Sequence, residues 1–190
     1  MLEKDRRIES LDVFEAIRKR KSVRSYSPKP VPEEALVKVL DAARLTPSAG
    51  NIQPWHFIIV RDEDKRAGIA RGCRYGRFLA ESPVVIVACG NRKASPSWYA
   101  VETAMALEHS VLAATALELG TCWIGRFNQE DIRKMLRLPE KFEVVALISL
   151  GCPGKKLDIP AKILHALRPR KKLERIASLE TYGVAYIPNK

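Results

Sequence analysis

Residues 47–60 read PSAGNIQPWHFIIV. Two prolines, a glycine and small polar residues open this stretch, and they predict a rigid, tightly turned loop. Trp55–Val60 (WHFIIV) is typical of a strand. Because residues 48–50 have almost no side-chain bulk, the loop backbone can approach a flat ligand closely, and Asn51 and Gln53 supply amide donors and acceptors. An ordinary surface turn is the alternative interpretation.

Helices and strands alternate unevenly on both sides of this loop. The pattern predicts helices over Leu11–Lys21, from Pro32 to near Thr46, in a basic stretch after Val60, over Trp98–Leu119, and after the cap Asn128; it predicts strands over Trp55–Val60, Val84–Ala88, Thr121–Gly125 and Val144–Leu150. Because the first two elements are both helices, an α+β fold with a mixed central sheet flanked by helices fits better than a doubly wound sheet. Neither a dinucleotide fingerprint nor a P-loop motif follows any predicted strand.

The helix predicted over Trp98–Leu119 is apolar on most of its circumference. Glu102, Glu108 and Glu118 interrupt it, and so many acids are incompatible with a bilayer span. Two settings remain open, because a helix of this kind is either the central helix of its domain or is partly buried by a second chain. Gly120, directly after the helix, is predicted to be its C-terminal cap.

Composition excludes several classes of protein. The chain has 190 residues, of which 46% are hydrophobic, and this content predicts a folded protein rather than a disordered one. The net charge of +11 is compatible with a nucleic acid, an anionic membrane surface or a phosphorylated ligand, and also with an ordinary solvated basic surface. A nucleic-acid-binding protein is the less favoured class, because the aromatic residues lie in apolar strands and no known binding motif occurs.

The four cysteines form no C-x-x-C pair, so we expect reduced thiols and no metal site. The first ten residues are too polar for a secretory signal, and a cytoplasmic protein without membrane attachment is therefore the expectation.

Two basic segments are candidates for binding phosphate. Arg20–Arg24 (RKSVR) ends the first predicted helix, and Arg168–Lys172 (RPRKK) lies in the tail. The arginine fork matches phosphate oxygens, and a serine hydroxyl adds a donor. Solvated basic surface is the alternative for both segments.

Taken together, these segments resemble the nitroreductase family. The resemblance rests on five segments that occur in the family's order: Arg20–Tyr26 (RKSVRSY), Pro47–Phe57 (PSAGNIQPWHF), Gly120–Gly125 (GTCWIG), Gly151–Pro153 (GCP) and Arg168–Glu174 (RPRKKLE). The loop Pro47–Trp55 is the most specific of them. In the fourth segment, Cys152 stands where the family commonly has tyrosine.

The resemblance implies an α+β homodimer, interlocked around the long helix, with two FMN sites at the interface. The implied function is an oxidoreductase that takes electrons from NADH or NADPH and reduces a small organic acceptor, such as a nitroaromatic or a quinone, by a ping-pong hydride mechanism. The flavin carries this chemistry, so no catalytic side chain is expected. Some relatives dehalogenate aromatic rings or consume the flavin itself, so a flavin enzyme with one of these chemistries is the alternative.

The resemblance also implies roles for individual residues. Arg20, Ser22, Arg168 and Arg170 would hold the FMN phosphate, Lys21 would contribute backbone contacts, and Arg24 would lie near the N1/O2 edge of the flavin. The other chain would contribute the loop residues Pro47, Ser48, Ala49 and Asn51, and the backbone of Trp123, Ile124 and Gly125 would face the flavin N5. Arg77 is a further candidate for flavin contact.

The resemblance and the tail composition together suggest a division of the chain. Residues 1–154 would form the FMN-binding core, and residues 155–190 a C-terminal extension that wraps over the core or over the partner subunit. Residues 91–97 are the candidate for a lid.

Overall fold

The computed structural model describes residues 12–156 and 167–186. They fall into two compact units that divide between Lys156 and Leu157, and each is described by itself. The first unit contains the following helices and strands: α1 Val13–Lys19, α2 Glu33–Arg44, β1 Trp55–Val60, α3 Glu63–Arg71, β2 Val84–Asn91, α4 Tyr99–Ala116, β3 Gly120–Ile124, α5 Gln129–Met135 and β4 Phe142–Gly151.

The helices begin where the sequence supplies a cap. Asp12 and Asp62 accept the backbone N–H three residues ahead, at 2.8 and 2.9 Å, and Asn128 caps α5 as predicted. Pro32 precedes α2. Leu11, the predicted first residue of α1, lies outside the described residues.

The four strands form one sheet in the order β1-β2-β4-β3, and all three pairings are antiparallel. The α+β class is therefore confirmed, but the prediction of a mixed sheet is wrong for these strands. A helix between two strands usually makes a parallel crossover. Here α3 and α5 instead lead the chain back into an antiparallel neighbour. The parallel pairing among the described residues is the isolated bridge between Ser22 and Thr121.

Two apolar clusters cover the two faces of the sheet. Alternate residues of β2 belong to opposite clusters, because side chains alternate across a strand. Ile86 packs in the cluster that contains Leu107 of α4, whereas Val87 packs in the cluster that contains Ile69 of α3. Helices therefore cover both faces of the sheet, and β1 and β3 are its two edges.

Helix α4 has the first of the two settings that the sequence left open, since it is a central helix of its own domain; burial by a second chain stays a prediction. It buries a face that includes Leu107 and Val111 in the core of its own chain. Its opposite side, with Val101 and Met105, remains 47% and 41% exposed. Within the described residues, no helix has the length and apolarity that crossing a membrane would require.

The predicted cap at Gly120 is wrong. Glu118 takes the left-handed conformation at the helix end, with φ of 59°, and Gly120 is the first residue of β3. A β-carbon at Gly120 would lie 2.8 Å from the side chain of Val23. The glycine is therefore required for close packing rather than for the turn.

The second unit, as far as it is described, contains a 3₁₀ turn at Leu173–Arg175 and a bridge between Ser178 and Ala185. Its apolar side chains are exposed, including Ile176 and Tyr182. A wrapping role for residues 155–190 stays a prediction.

Candidate functional site

The segment Arg20–Tyr26 is attached to the sheet by backbone contacts. The Val23 N–H donates to the Thr121 carbonyl at 2.8 Å, which places the segment along the free edge of β3. Two further bonds hold its end against the turn after β4. The Ser27 N–H donates to the Cys152 carbonyl at 2.9 Å, and the Gly154 N–H donates to the Ser25 carbonyl at 2.7 Å.

The side chain of Tyr26 holds this segment by two hydrogen bonds. Its hydroxyl donates to the Val23 carbonyl at 2.6 Å and lies 2.5 Å from Ser149 Oγ. Because the phenol has one proton, the Ser149 hydroxyl donates in the second contact. Burial raises the pKa of the Tyr26 phenol above its ordinary value, so the side chain is neutral at physiological pH.

A cleft forms where this segment meets the end of β3. Four predicted site residues line it: Arg24, Trp123, Ile124 and Gly125. The sequence reasoning missed the other lining residues, which are Tyr75, Phe78, Cys122 and Arg126. The cavity measures about 150 Å³, well below the ~300 Å³ from which small-molecule pockets begin. The cleft of this chain is therefore smaller than an ordinary ligand pocket.

Arg77 occupies a neighbouring position. The 3₁₀ turn Arg77–Leu79 directs Phe78 into the cleft, whereas Arg77 lines an adjacent depression with Arg71 and Arg74. Arg20 is the half-buried C-cap of α1, Lys21 is exposed and Ser22 is half-buried beside Thr121. Arg168 and Arg170 lie in the second unit, so their predicted part in phosphate binding stays a prediction.

The loop between α2 and β1 has a strained backbone. It contains a 3₁₀ turn at Ala49–Asn51, and φ is positive at Gly50 (57°), Asn51 (56°) and Gln53 (52°). The Gln53 N–H donates to Ser48 Oγ at 2.9 Å, which closes the loop on itself. The tight turn predicted from the sequence is confirmed, and its rigidity stays a prediction.

Polar side chains of α4 contact the loop between α2 and β1 on one side and the end of β3 on the other. Glu102 accepts the Ala49 N–H at 2.7 Å, and His109 Nδ1 lies 2.7 Å from the Thr46 hydroxyl. On another side of the helix, Glu108 accepts the Trp123 indole N–H at 3.0 Å. The sequence identified these charged residues only as interruptions of an apolar helix.

The two halves lie at opposite edges of the sheet. The strand order makes β1 and β3 antiparallel, so the start of β1 and the end of β3 point to the same end of the sheet. Three strand spacings separate them, about 14 Å. None of the predicted loop residues Pro47, Ser48, Ala49 or Asn51 lines the cleft of its own chain.

A larger cavity, of about 890 Å³, lies elsewhere, along β1 between α2 and α5. Its lining includes Leu36, Ile59 and Met135 and none of the predicted site residues. It is the groove beside an edge strand; Arg61 and Arg137 line it, but none of its lining residues is aromatic.

Two of the buried cysteines, Cys73 and Cys89, are unsuited to nucleophilic chemistry. Burial raises the pKa of Cys73 to about 11 and that of Cys89 to about 12, so both are protonated at neutral pH. Reduced thiols were predicted, and all four cysteines are thiols.

Residues 91–97, the candidate lid, form a turn that is held at two points. Arg92 pairs with Glu140 and Glu143, each at 3.3 Å, and Ser95 Oγ donates to Glu102 at 2.8 Å.

Comparisons with known proteins agree with this geometry. The sequence profile of the nitroreductase family matches residues 17–75 and 70–152. A protein of Methanothermobacter thermautotrophicus assigned as an NADH dehydrogenase/NAD(P)H nitroreductase is 36% identical over 157 residues, which cover 80% of this chain and 82% of that protein. An FMN-dependent nitroreductase from Clostridium difficile is 30% identical with a TM-score of 0.70, covering 75% of this chain and 88% of that one. A nitroreductase family protein from Clostridium novyi is 30% identical with a TM-score of 0.73, covering 93% and 97%. The chain belongs to the nitroreductase family.

Proposed function

We propose that this protein is an FMN-dependent oxidoreductase that uses NADH or NADPH to reduce a small organic acceptor, such as a nitroaromatic or a quinone. The observation that carries the proposal is the cleft in which Arg24 meets the backbone at the end of β3. Membership of the nitroreductase family and the similarity to an FMN-dependent relative support it.

The cleft residues fit a flavin in shape and chemistry. An added β-carbon at Gly125 would have no atom within 4 Å, so the backbone at the end of β3 faces open space. Tyr75 and Phe78 supply aromatic surface, and Arg24 supplies positive charge. A flat, electron-poor ring with a phosphate tail suits this combination.

Each part of the chain would have a defined task. Arg20 and Ser22 would hold the phosphate by charge-assisted hydrogen bonds. The Arg24 guanidinium would place positive charge beside the N1/O2 edge, and by electrostatics this raises the reduction potential of the ring. When bound, FMN supplies the electron transfer between donor and acceptor, so no side chain is required as acid, base or nucleophile.

We further propose that two chains combine to complete each site. The cleft of one chain is partial, and the loop Pro47–Asn51 lies at the opposite edge of the sheet. The exposed apolar side of α4, with Val101 and Met105, and the exposed Phe14 of α1 form a surface that a second copy of the chain would cover. A two-fold arrangement would bring the loop of each chain to the cleft of the other.

The test begins with purified, desalted protein. Addition of FMN should give a yellow dimer with an equimolar flavin content, and NADH or NADPH should bleach it until an acceptor restores the colour. Steady-state rates with both donors and with nitroaromatic and quinone acceptors then define the activity, and product analysis distinguishes it from dehalogenation. A colourless monomer that does not bind added FMN would overturn the proposal.

Arg24→Ala tests the electrostatic task. The variant should retain some FMN but with a lower midpoint potential, because the positive charge beside the ring is lost. Arg18→Ala, an exposed position on α1, is the control and should leave the midpoint unchanged. A midpoint that is equal in wild type and Arg24→Ala removes Arg24 from this role.

A further inference from the structure

Glu102 is a buried carboxylate, and each of its two oxygens accepts a hydrogen bond. It is 2% exposed and lies in the first turn of α4, where the helix dipole stabilises a negative charge. One oxygen accepts the Ala49 backbone N–H at 2.7 Å, and the other accepts the Ser95 hydroxyl at 2.8 Å. A buried carboxylate is stable only where hydrogen bonds or an opposite charge compensate the loss of water. The groups that supply those hydrogen bonds therefore indicate what Glu102 does.

The first of these contacts ends on the loop with the strained backbone. Ala49 immediately precedes Gly50 and Asn51, both in the left-handed region. A strained conformation persists only where its surroundings over-determine it. Ser48 and Gln53 close the loop on itself, but Glu102 connects its centre to the core of the protein.

A second contact from the same face of α4 supports this role. His109 lies seven residues after Glu102, two helical turns, and so projects on the same side. Its Nδ1 lies 2.7 Å from the hydroxyl of Thr46, directly before the loop. One helix face therefore holds the loop at its entrance and at its centre.

We propose that Glu102 is a positioning residue: it sets the shape in which residues 47–51 are presented to the flavin cleft of the partner subunit. This inference rests on the proposed function, because it assumes an FMN site completed by the loop of a second chain. The inference predicts which of the two sites in the dimer a substitution affects. A defect at Glu102 in one chain should impair the site that contains the other chain's Arg24.

Two substitutions separate positioning from charge and from general stability. In Glu102→Gln, the amide oxygen can accept the Ala49 N–H and the amide nitrogen can donate to Ser95 Oγ, so both contacts survive. In Glu102→Ala, both are lost. We expect Glu102→Ala to weaken FMN binding at least about tenfold and Glu102→Gln to stay within about threefold of wild type.

Glu34→Ala is the matched control, because Glu34 is an exposed acid in the first turn of α2. Its FMN affinity should equal that of wild type. Thermal unfolding and sedimentation of every variant report whether the fold and the dimer are retained. If Glu102→Ala binds FMN as tightly as wild type, or if Glu102→Gln is as impaired as Glu102→Ala, the inference is overturned.

Mixed dimers test the direction of the effect. A dimer with one Arg24→Ala chain and one Glu102→Ala chain, isolated with two different affinity tags, places both defects in one site and leaves the other intact. We expect about half of the wild-type content of tightly bound FMN. A defect in each of the two sites, with neither site like wild type, would show that Glu102 acts on its own chain and would overturn the inference. Failure of the proposed function gives a different result, since wild type itself would then bind no FMN.

Discussion

The segment Arg20–Tyr26 and the loop Pro47–Pro54 are the two halves of the candidate site, and they are held in place by different means. Backbone hydrogen bonds to Thr121, Cys152 and Gly154 fix the first segment along the edge of the sheet. The side chain of Glu102 holds the centre of the loop, His109 contacts Thr46 directly before it, and a backbone bond, from the Asn91 N–H to the Pro54 carbonyl, holds its end; the loop backbone is strained.

This difference determines which substitutions each half tolerates. A segment held by its backbone accepts new side chains unless a neighbour needs the space, so the glycines beside it are the sensitive positions. A loop held by side chains depends on those individual residues. In the proposed dimer the arginine segment of one chain meets the loop of the other, so dissociation of that dimer should have the largest effect of all.

Val101→Arg should dissociate the proposed dimer and thereby separate the arginine segment of one chain from the loop of the other. The residue is 47% exposed on the uncovered side of α4, and a two-fold interface would bury a charge from each chain. A buried unpaired charge costs several kcal/mol, so the dimer should weaken by more than about a hundredfold. Sedimentation velocity and FMN content, measured over a range of protein concentrations, should fall together.

Glu63→Arg, on the first turn of α3, introduces the same charge at an exposed position outside this face. It should remain dimeric and yellow. A monomeric Val101→Arg protein that still binds FMN like wild type would show that one chain forms the whole site.

Gly154→Ala should disturb the half that is held by its backbone. The new β-carbon would lie 2.5 Å from Ser25 Oγ and 3.0 Å from the Ser25 carbonyl carbon, so the backbone itself must move. Overpacking of this kind costs about 1–3 kcal/mol. We expect a lower free energy of unfolding in urea and weaker FMN binding.

Gly72→Ala is the matched control for this substitution. Its φ is −74° and the nearest atom to an added β-carbon is 3.4 Å away, so an alanine fits. The variant should be as stable as wild type and bind FMN equally well. If both alanine variants behave alike, close packing at Gly154 does not position the arginine segment.

Local sequence patterns predicted most of the elements. Trp55–Val60 forms β1 as predicted, and Asn128 caps α5. These features depend on side-chain alternation and on cap chemistry, which act over a few residues. The strand order could not be obtained in this way, because the pairing of β2 with β4 joins segments more than 50 residues apart.

The candidate site was predictable to the extent that its motifs are contiguous. Arg24 and Trp123–Gly125 do meet in one cleft. Tyr75 and Phe78 carried no signal, since Phe78 reaches the cleft from a 3₁₀ turn and Tyr75 from the irregular turn before it. Glu102 was read as an interruption of an apolar helix because its partner, the Ala49 N–H, is 53 residues away in sequence.

Tyr26→Phe should have the smallest effect on the arginine segment, and that effect should depend on pH. At neutral pH, loss of the hydroxyl removes the bonds to Val23 and Ser149, so the free energy of unfolding should fall by about 1 kcal/mol. Tyr182→Phe, at a 99% exposed position, should change nothing.

The alkaline range sharpens this prediction, because burial raises the pKa of Tyr26 in the folded protein above the ordinary 10.0. Above pH 10 the unfolded chain releases the phenol proton while the folded protein keeps it, so wild-type stability decreases as pH rises. The raised pKa values of Cys73 and Cys89 act in the same direction from about pH 9, but equally in both proteins. The difference between wild type and Tyr26→Phe should therefore narrow above pH 10, by at most about 1.4 kcal/mol per pH unit. Urea unfolding of both proteins from pH 8 to 11 measures it, and a constant difference across that range would mean that Tyr26 titrates as an exposed tyrosine and does not fasten the segment.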